Sequence, residues 1–264
     1  MGRPLRLEAD VAADVGEAEV AIARLNAEAT ALCDTEALAR ILLRAESVAS
    51  SRIEGLEVGA RRLLRAEKAQ QVGSATNDVT ASEVLGNINA MVHAAESSQH
   101  APITRKMLTD FHRLLFANTM LHKQGGQLRH EQNWIGGNNY NPCSASFVPP
   151  PPELVEDLLE DLCAFCNEDA LPPVAQAAIA HAQFETIHPF NDGNGRTGRA
   201  LIHMVIRRRG LAPRAMPPVS LVLATWARSY VEGLNATRYR GAASAKAAQA
   251  GLNVWIGRFA AACR

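Results

Sequence analysis

The sequence has no excess of either charge and no long apolar run. Lys plus Arg and Asp plus Glu each number 27 among 264 residues, so no net field draws the chain towards nucleic acid or an anionic membrane. No stretch approaches 18 apolar residues, and the first ten residues lack the apolar core of a signal peptide. We therefore expect a cytoplasmic protein without a membrane partner, and nucleic-acid binding is not supported.

Cysteine is too sparse for a disulfide framework or a zinc site. The five cysteines are an odd number. Cys163 and Cys166 lie one helical turn apart, with no second pair at zinc-binding spacing. We therefore interpret them as buried apolar thiols in a reducing compartment.

Helix signals recur along a chain that has no internal repeat. Its hydrophobic content of 47% suffices for a substantial core. Helix-start residues and apolar spacings of three and four predict helices over about 18–32, 35–55, 80–95, 105–115, 154–165, 174–187, from 196, 218–236 and 243–262. In the second helix an apolar stripe runs from Leu38 to Ala49, and Gly55 is a typical stop residue.

One stretch breaks the helical pattern. Residues 125–148 are rich in Gly, Asn and Ser between short β-forming segments. Segments 134–135 and 146–148 are predicted to pair as a hairpin. Their connecting loop is longer than a tight turn needs, which is typical of function or mobility. The predicted fold is an all-α bundle carrying one β-hairpin.

Side chains suited to catalysis and ligand binding are concentrated in residues 188–199, HPFNDGNGRTGR. His188 can take a proton near neutrality, and Asp192 is a ligand type that Mg²⁺ accepts. The run opens a helix, whose first amides attract anions. Arg196 and Arg199 project from one face and can fork onto phosphate oxygens. Each residue alone has a structural explanation, as a cap, a turn residue or a surface charge, but together they indicate a nucleotide-phosphate site.

This run resembles the core motif of the Fic family, HxFx(D/E)GN(G/K)RxxR, and matches it at every fixed position. Members are mostly adenylyltransferases that move AMP from ATP onto a protein Ser, Thr or Tyr hydroxyl. The resemblance implies a Fic-type helical bundle with His188 as the base, Phe190 as its anchor and Asp192 as the Mg²⁺ ligand. It assigns the nucleotide phosphates to Gly193, Asn194, Gly195, Arg196 and Arg199.

Two further positions bear on the nucleotide. Relatives that act as kinases carry Lys where this chain has Gly195, so the resemblance favours AMP transfer. Relatives often carry a Tyr-Tyr pair near the adenine, about thirty residues after the core motif. Here Tyr230 is followed by Val231, so Tyr230 is assigned to the nucleotide and the base contacts are expected to differ.

The predicted hairpin resembles the flap of the family, which docks the modifiable segment of a target by strand-like backbone pairing. The similarity covers residues 126–129, 134–136 and 147–150. It assigns target docking to Trp134, Ile135, Gly136, Phe147 and Val148. A hairpin with a structural role alone is the alternative.

An inhibitory pattern of the family, (S/T)xxxE(G/N), is matched by residues 50–55, SSRIEG. The resemblance implies that Ser50 and Glu54 belong to an inhibitory helix. Glu54 can pair with Arg199 and occupy the guanidinium N–H donors that would otherwise bind the γ-phosphate. The alternative is that Glu54 is an ordinary helix-end residue.

We expect three regions. Residues 1–100 form an N-terminal helical region with the inhibitory helix at about 35–55, and residues 101–236 form the Fic core. Residues 237–264 form a C-terminal helical extension without a stop signal. Many relatives of this layout continue into a winged-helix domain, so the chain is expected to be either a short member or a truncated one.

The leading hypothesis is a self-inhibited, Mg²⁺-dependent protein adenylyltransferase that uses ATP and modifies an unidentified protein target, itself included. A homodimer is left open, as is transfer of UMP, GMP or phosphocholine. One alternative is removal of AMP from a modified target at the same site. Another is a nucleotide-sensing regulator that binds ATP without turnover.

Overall fold

The computed structural model describes residues 5–31, 35–74, 77–99, 101–138, 140–242 and 244–264. These ranges contain eleven α-helices and three short 3₁₀ turns. The helices are α1 (Ala9–Ala31), α2 (Thr35–Ile53), α3 (Ala60–Gln71), α4 (Val79–Ser97), α5 (Arg105–Phe116), α6 (Val155–Cys166), α7 (Pro173–Ile187), α8 (Asn194–Arg208), α9 (Val219–Thr225), α10 (Ala227–Thr237) and α11 (Lys246–Cys263).

The core is built around α7 and α8. Both helices are buried along most of their length and pack against each other. Alanines supply much of the buried surface of α7, and such small side chains allow several helices to approach it. Helices α1, α6, α10 and α11 contact α7, whereas α2, α4 and α5 contact α8. The loop between α7 and α8 is residues 188–193, so the core itself positions the sequence motif.

Helix boundaries differ from the prediction at three places. Helix α1 begins at Ala9, because Val11 and Val15 extend its buried face by two turns. Helix α3 was not predicted, since only Leu63 and Ala66 of its strongly charged sequence are buried. The segment 218–236 is two helices, because Trp226 leaves helical geometry at φ −103° and ψ 34°.

The predicted β-hairpin is not confirmed. In the described ranges no strand is formed, and only one antiparallel bridge joins Ile135 to Phe147. The Ile135 N–H donates to the Phe147 carbonyl at 2.9 Å, and the Ser146 N–H donates to the Ile135 carbonyl at 2.8 Å. Gly136 and Gly137, both with positive φ, turn the chain away directly after this bridge. The flap is therefore a loop closed by a single bridge.

Two expectations from composition can be compared with the structure. No helix among the described residues is long and apolar enough to cross a membrane. Cys163 and Cys166 are buried free thiols, as predicted. Burial raises the pKa of Cys163 to about 12, so this thiol stays protonated at neutral pH.

Two helical glycines allow a direct test of how closely α4 and α5 approach. A Cβ on Gly86 of α4 would lie 2.5 Å from the Leu115 carbonyl oxygen of α5. We expect Gly86→Ala to lower the free energy of unfolding by about 1–3 kcal/mol, because the helices must separate. Chemical denaturation measures this change.

The matched control is Gly16→Ala in α1, where no described heavy atom lies within 4 Å of the added Cβ. It should raise the free energy of unfolding by about 0.5–1 kcal/mol through helix propensity alone. Equal effects of the two substitutions would contradict the close α4–α5 contact.

Candidate active site

The site begins where α7 ends at a left-handed residue. His188 has φ 49° and ψ 60°, the one positive φ at a non-glycine residue in the described ranges. Its N–H donates to the Phe184 carbonyl at 2.9 Å and ends the helix. A side chain in this conformation costs free energy, and such strain concentrates at functional sites. The geometry turns the imidazole out of the helix towards the loop.

Phe190 and His112 hold the middle of the loop. Phe190 is fully buried and stacks on the His112 ring, with centroids 3.7 Å apart and planes 4° apart. The Gly126 N–H donates to His112 Nδ1 at 2.8 Å, so Nε2 carries the proton and donates to the Asp192 carbonyl at 2.9 Å. Burial lowers the pKa of His112 to about 4 and keeps the ring neutral. His112 was not predicted as a site residue, because from sequence it is one polar residue in the amphipathic α5.

Asn194 closes the loop from the other end. Its side-chain amide donates to the Phe190 carbonyl at 2.7 Å, and its carbonyl accepts from the Phe190 N–H at 2.9 Å. Gly193 precedes it in left-handed geometry at φ 74°, with Phe116 so close that a Cβ would clash. The side chain of Asn194 therefore shapes the loop, and its contact with a phosphate stays a prediction.

Arg129 fastens the base of the flap to the motif. Its buried guanidinium donates to four carbonyls, those of His188 at 2.9 Å, Ile187 at 3.3 Å, Pro150 at 2.5 Å and Glu131 at 3.2 Å. Its own N–H donates to the Pro189 carbonyl at 2.9 Å. Arg129 thus fixes the backbone on both sides of His188, a role that sequence reasoning did not assign to it.

Arg196 is a buried cation with unfilled donors. Its side chain is 2% exposed, and Nε and Nη1 have no hydrogen-bond partner in the described part of the chain. The nearest carboxylates, on Glu83 and Asp192, are both 3.8 Å away. The guanidinium also lies over the Phe116 ring, 5.2 Å from its centroid. Burial lowers the pKa of Arg196, and donors left open in such a site favour an anion.

Arg199 is hydrogen-bonded to residues at the end of α2 and directly after it. It is 1% exposed, and Nη2 donates to Glu54 Oε1 at 2.8 Å and to the Ser50 carbonyl at 2.7 Å. Nε donates to Ser50 Oγ at 2.8 Å. Burial alone would lower the pKa of Arg199, but Glu54, Tyr230 and Glu185 together raise the pKa above its usual value. The structure therefore brings together the two residues of the inhibitory pattern and the last arginine of the core motif.

Gly195 makes room for the Glu54 carboxylate at the start of α8. A Cβ on Gly195 would collide with Glu54 Oε1 and lie 2.9 Å from Arg199 Nη1. Burial would raise the pKa of Glu54, but Arg199, Arg196 and His188 together lower it. Glu54 is therefore an ionised carboxylate, still 37% exposed, in the place where the first turn of α8 favours an anion.

Helix α2 is held against the core by polar contacts. Its fully buried residues include Glu46, whereas Ile41 of the predicted apolar stripe is 65% exposed. Glu46 Oε1 lies 2.7 Å from His203 Nε2, and its Oε2 accepts from the Ser220 N–H at 2.7 Å. The Asn87 side chain donates to the Ser47 carbonyl of α2 at 2.8 Å. These directional contacts with α4, α8 and α9 fix the position of α2 along its own axis. They thereby also fix the position of Glu54 beside α8.

Asp192 is the exposed acid of the loop. Its Oδ1 accepts from the Gly193 N–H at 2.6 Å, and 57% of the side chain is exposed. Among the described residues no three His, Cys, Asp or Glu side chains form a metal site. A Mg²⁺ ion here would take this one carboxylate and fill its shell with water and phosphate oxygens, which is how Mg²⁺ commonly binds.

Tyr230 is the predicted nucleotide ligand that lies outside the motif loop and α8. It is buried in α10, and its hydroxyl lies 2.8 Å from His181 Nε2. Burial raises the pKa of Tyr230. Its contact with a nucleotide stays a prediction.

The predicted docking residues occupy both sides of the flap. The Trp134 indole donates to the Asn138 carbonyl at 2.7 Å. The Phe147 ring covers the guanidinium of Arg238 at 3.9 Å, and the next residue, Val148, is 41% exposed. Arg238 was not predicted as a site residue. It also donates to the Glu185 carbonyl at 3.3 Å.

Comparison with known proteins shows which family models match this chain. The Fic/DOC family model matches residues 102–206, and the Fic/DOC family N-terminal model matches residues 12–96. The fold is similar to the crystal structure of a Fic family protein from Desulfovibrio desulfuricans G20. The TM-score is 0.74 at 23% identity, covering 100% of this chain and 74% of that chain.

Curated relatives resemble part of the chain. The sequence is 32% identical over 124 residues to protein adenylyltransferase fic-1 of Caenorhabditis elegans. It is 34% identical over 139 residues to protein adenylyltransferase Fic of Drosophila virilis. These matches cover 46% and 51% of this chain but 22% and 27% of the respective relatives.

The role of His112 in holding the loop can be tested without a substrate. We expect His112→Phe to lower the free energy of unfolding by about 1–3 kcal/mol, because the Gly126 N–H and the Asp192 carbonyl lose their partner. Phe preserves the stack on Phe190. The control His122→Phe, at an exposed position, should change it by no more than about 0.5 kcal/mol. Equal stabilities of the two variants in urea denaturation would refute the role.

Proposed function

The chain belongs to the Fic/DOC family, and on that premise we propose that it is a self-inhibited, Mg²⁺-dependent protein adenylyltransferase. It would move AMP from ATP to a Ser, Thr or Tyr hydroxyl of a protein target, itself included. The observation that carries the proposal is the grouping of His188, the unfilled Arg196 and the first turn of α8 around one short loop. The proposed base His188, the Arg196 cation and the backbone N–H donors of α8 are thus grouped at one loop.

The phosphates of ATP fit the charges of this space. The first amides of α8 and the open donors of Arg196 can hold phosphate oxygens as charge-assisted hydrogen bonds. Asp192, exposed at the loop, is the residue that would hold Mg²⁺, which when bound neutralises charge on the phosphates. Arg199 would complete the set once Glu54 leaves it.

His188 is suited to accept the hydroxyl proton of the target. Burial, with the nearby cations of Arg238 and Arg129, lowers the pKa of His188 to about 4. The imidazole is therefore neutral at pH 7 and has a nitrogen free to accept a proton. Arg129 donates to the His188 carbonyl and keeps the residue in its left-handed conformation.

Self-inhibition follows from competition for Arg199. In the structure Glu54 accepts a hydrogen bond from the Arg199 guanidinium and fills the space beside Gly195. A γ-phosphate that approached Arg199 would meet the negative charge of Glu54 at close range. We propose residues 35–55 as the inhibitory helix, anchored through Glu46 and Ser50.

Removal of the Glu54 carboxylate should activate the protein. We expect Glu54→Gly to raise the rate of AMP transfer from labelled ATP by about 10- to 100-fold, because a charge-assisted hydrogen bond of about 1.5–3 kcal/mol no longer competes with ATP. The control is Glu57→Gly, which removes an exposed carboxylate three residues away and should leave the rate unchanged.

The same pair of proteins separates the two directions of the reaction. Glu54 lies close enough to the loop to orient water, so loss of AMP from a pre-modified target in wild type but not in Glu54→Gly would favour removal of AMP. A Glu54→Gly protein no faster than wild type at saturating Mg-ATP would contradict the inhibition proposal.

The base assignment has its own test. In the Glu54→Gly background, His188→Ala should reduce AMP transfer by about 10²- to 10⁴-fold, because the proton acceptor is lost. ATP binding, followed by calorimetry, should persist, since His188 donates no side-chain hydrogen bond to the phosphate-binding groups. Full transfer by the double variant would refute the base role. ATP binding without transfer by Glu54→Gly alone would instead favour a nucleotide-sensing regulator.

A further inference from the structure

We propose that Glu185 is a positioning residue that sets the tautomer and the basicity of His188 through the inner ring nitrogen, Nδ1. The inference rests on the proposed function, in which His188 is the base. Its geometric basis is separate from that function and can be tested by itself.

Glu185 and His188 present two unsatisfied polar atoms in the same buried space. Glu185 is 7% exposed and lies one helical turn before His188 at the end of α7. Its Oε2 is 4.0 Å from His188 Nδ1. Nδ1 and the other carboxyl oxygen, Oε1, both find no partner among the residues that the structure describes. Buried polar atoms are nearly always paired, so an unpaired ring nitrogen 4.0 Å from a buried carboxyl group needs an explanation.

The fold keeps space for this carboxyl group. A Cβ on Gly198 of α8 would lie 2.5 Å from Glu185 Oε1, so only glycine there lets the carboxyl lie between α7 and α8. The same Cβ would lie 3.1 Å from His181 Nδ1. An apolar side chain at position 185 would fill this space without the cost of a buried carboxyl. The buried carboxyl group at this position therefore points to a chemical role.

The backbone offers a second acceptor close to Nδ1. The Glu185 carbonyl faces the ring and raises the pKa of His188, while it also accepts from Arg238 Nη2 at 3.3 Å. A side-chain rotation that shortens the 4.0 Å separation by about 1 Å would bring Oε2 into hydrogen-bond range as well. The carboxyl group differs from the carbonyl because it can gain or lose a proton.

Charges from four elements surround the pair. Arg199 of α8, Glu54 directly after α2 and Arg238 directly after α10 all act on Glu185, whose pKa burial raises to about 7. Arg238, Glu54 and Arg129 at the base of the flap act on His188. Glu185 is thus balanced between its neutral and ionised forms at neutral pH, and its state depends on whether Glu54 remains in the site.

The ionisation of Glu185 decides which ring nitrogen is free. A protonated Glu185 donates to Nδ1, which leaves the proton of the neutral ring on Nε2 and prevents Nε2 from acting as a base. An ionised Glu185 accepts from Nδ1–H and leaves Nε2 free. Activity should therefore rise with pH through the pKa of Glu185, since the active form is the ionised one.

The ionised carboxylate also supports the transfer step. The target oxygen bonds to the α-phosphorus while the bond to the β-phosphate oxygen breaks, and pyrophosphate leaves with that electron pair. The hydroxyl proton passes to His188 Nε2. The resulting imidazolium then donates Nδ1–H to the Glu185 carboxylate, which stabilises its charge in a buried place. Without Glu185 the cations of Arg238 and Arg129 oppose that charge.

The kinetic test uses Glu185→Gln in the Glu54→Gly background. Glutamine matches the shape of Glu but cannot ionise. We expect kcat to fall by about 10- to 100-fold with the KM for ATP nearly unchanged, because positioning of the base is lost and phosphate binding is not. The rise of kcat/KM with pH through the pKa of Glu185 should disappear; in this background the rise lies below pH 7, because Glu54 no longer raises that pKa. The control is Glu156→Gln, which removes an exposed carboxylate on α6 and should change neither quantity.

A spectroscopic readout tests Glu185 without relying on activity. Nitrogen-15 NMR of histidine-labelled full-length protein reports the tautomer of His188. We expect the Nδ1–H form to dominate at pH 8 with Glu185 and to lose that dominance in Glu185→Gln, with a lower His188 pKa. An unchanged tautomer together with superimposable pH profiles would overturn the role of Glu185. If Glu54→Gly transfers no AMP but the NMR change is present, the proposed function fails and the coupling of the two residues stands.

Discussion

The ion pair between Glu54 and Arg199 is the contact on which the state of this protein depends. Arg199 is buried within α8 and cannot be left without an anion, because an unpaired buried guanidinium is strongly destabilising. The fold therefore offers it Glu54 and the Ser50 carbonyl. Under the proposed function, ATP would have to supply an equivalent negative charge to replace Glu54.

Much of the remaining structure serves to hold the two sides of that contact. On one side, the Glu46, His203 and Ser220 cluster fixes α2 by directional hydrogen bonds, which set its register more sharply than an apolar face would. On the other side, the stacked rings of His112 and Phe190 shape the motif loop, and Arg129 fixes its backbone. Under the proposed function, a loop that is already held in place would bind phosphates without rearrangement, which favours catalysis.

Sequence reasoning found the groups that would touch a nucleotide but not those that support them. The motif at 188–199 and the pattern at 50–55 are local, so their spacing can be read directly. His112, Arg129 and Glu185 act on the motif from α5, the flap base and α7, and their roles depend on tertiary contacts. The predicted hairpin is not confirmed, because its short β-forming segments meet at one bridge only among the described residues and glycines turn the chain immediately afterwards.

By itself the sequence determined the helical class, the family and the residue types at the site, because amphipathic periods and a dense local motif need no knowledge of distant contacts. Only the tertiary structure decided that Glu54 reaches Arg199, that Arg196 keeps open donors and that Glu185 is buried against His188. These facts depend on burial and on distances between separate helices. Burial sets the strength of charges and the values of pKa, and the order of residues along the chain does not record it.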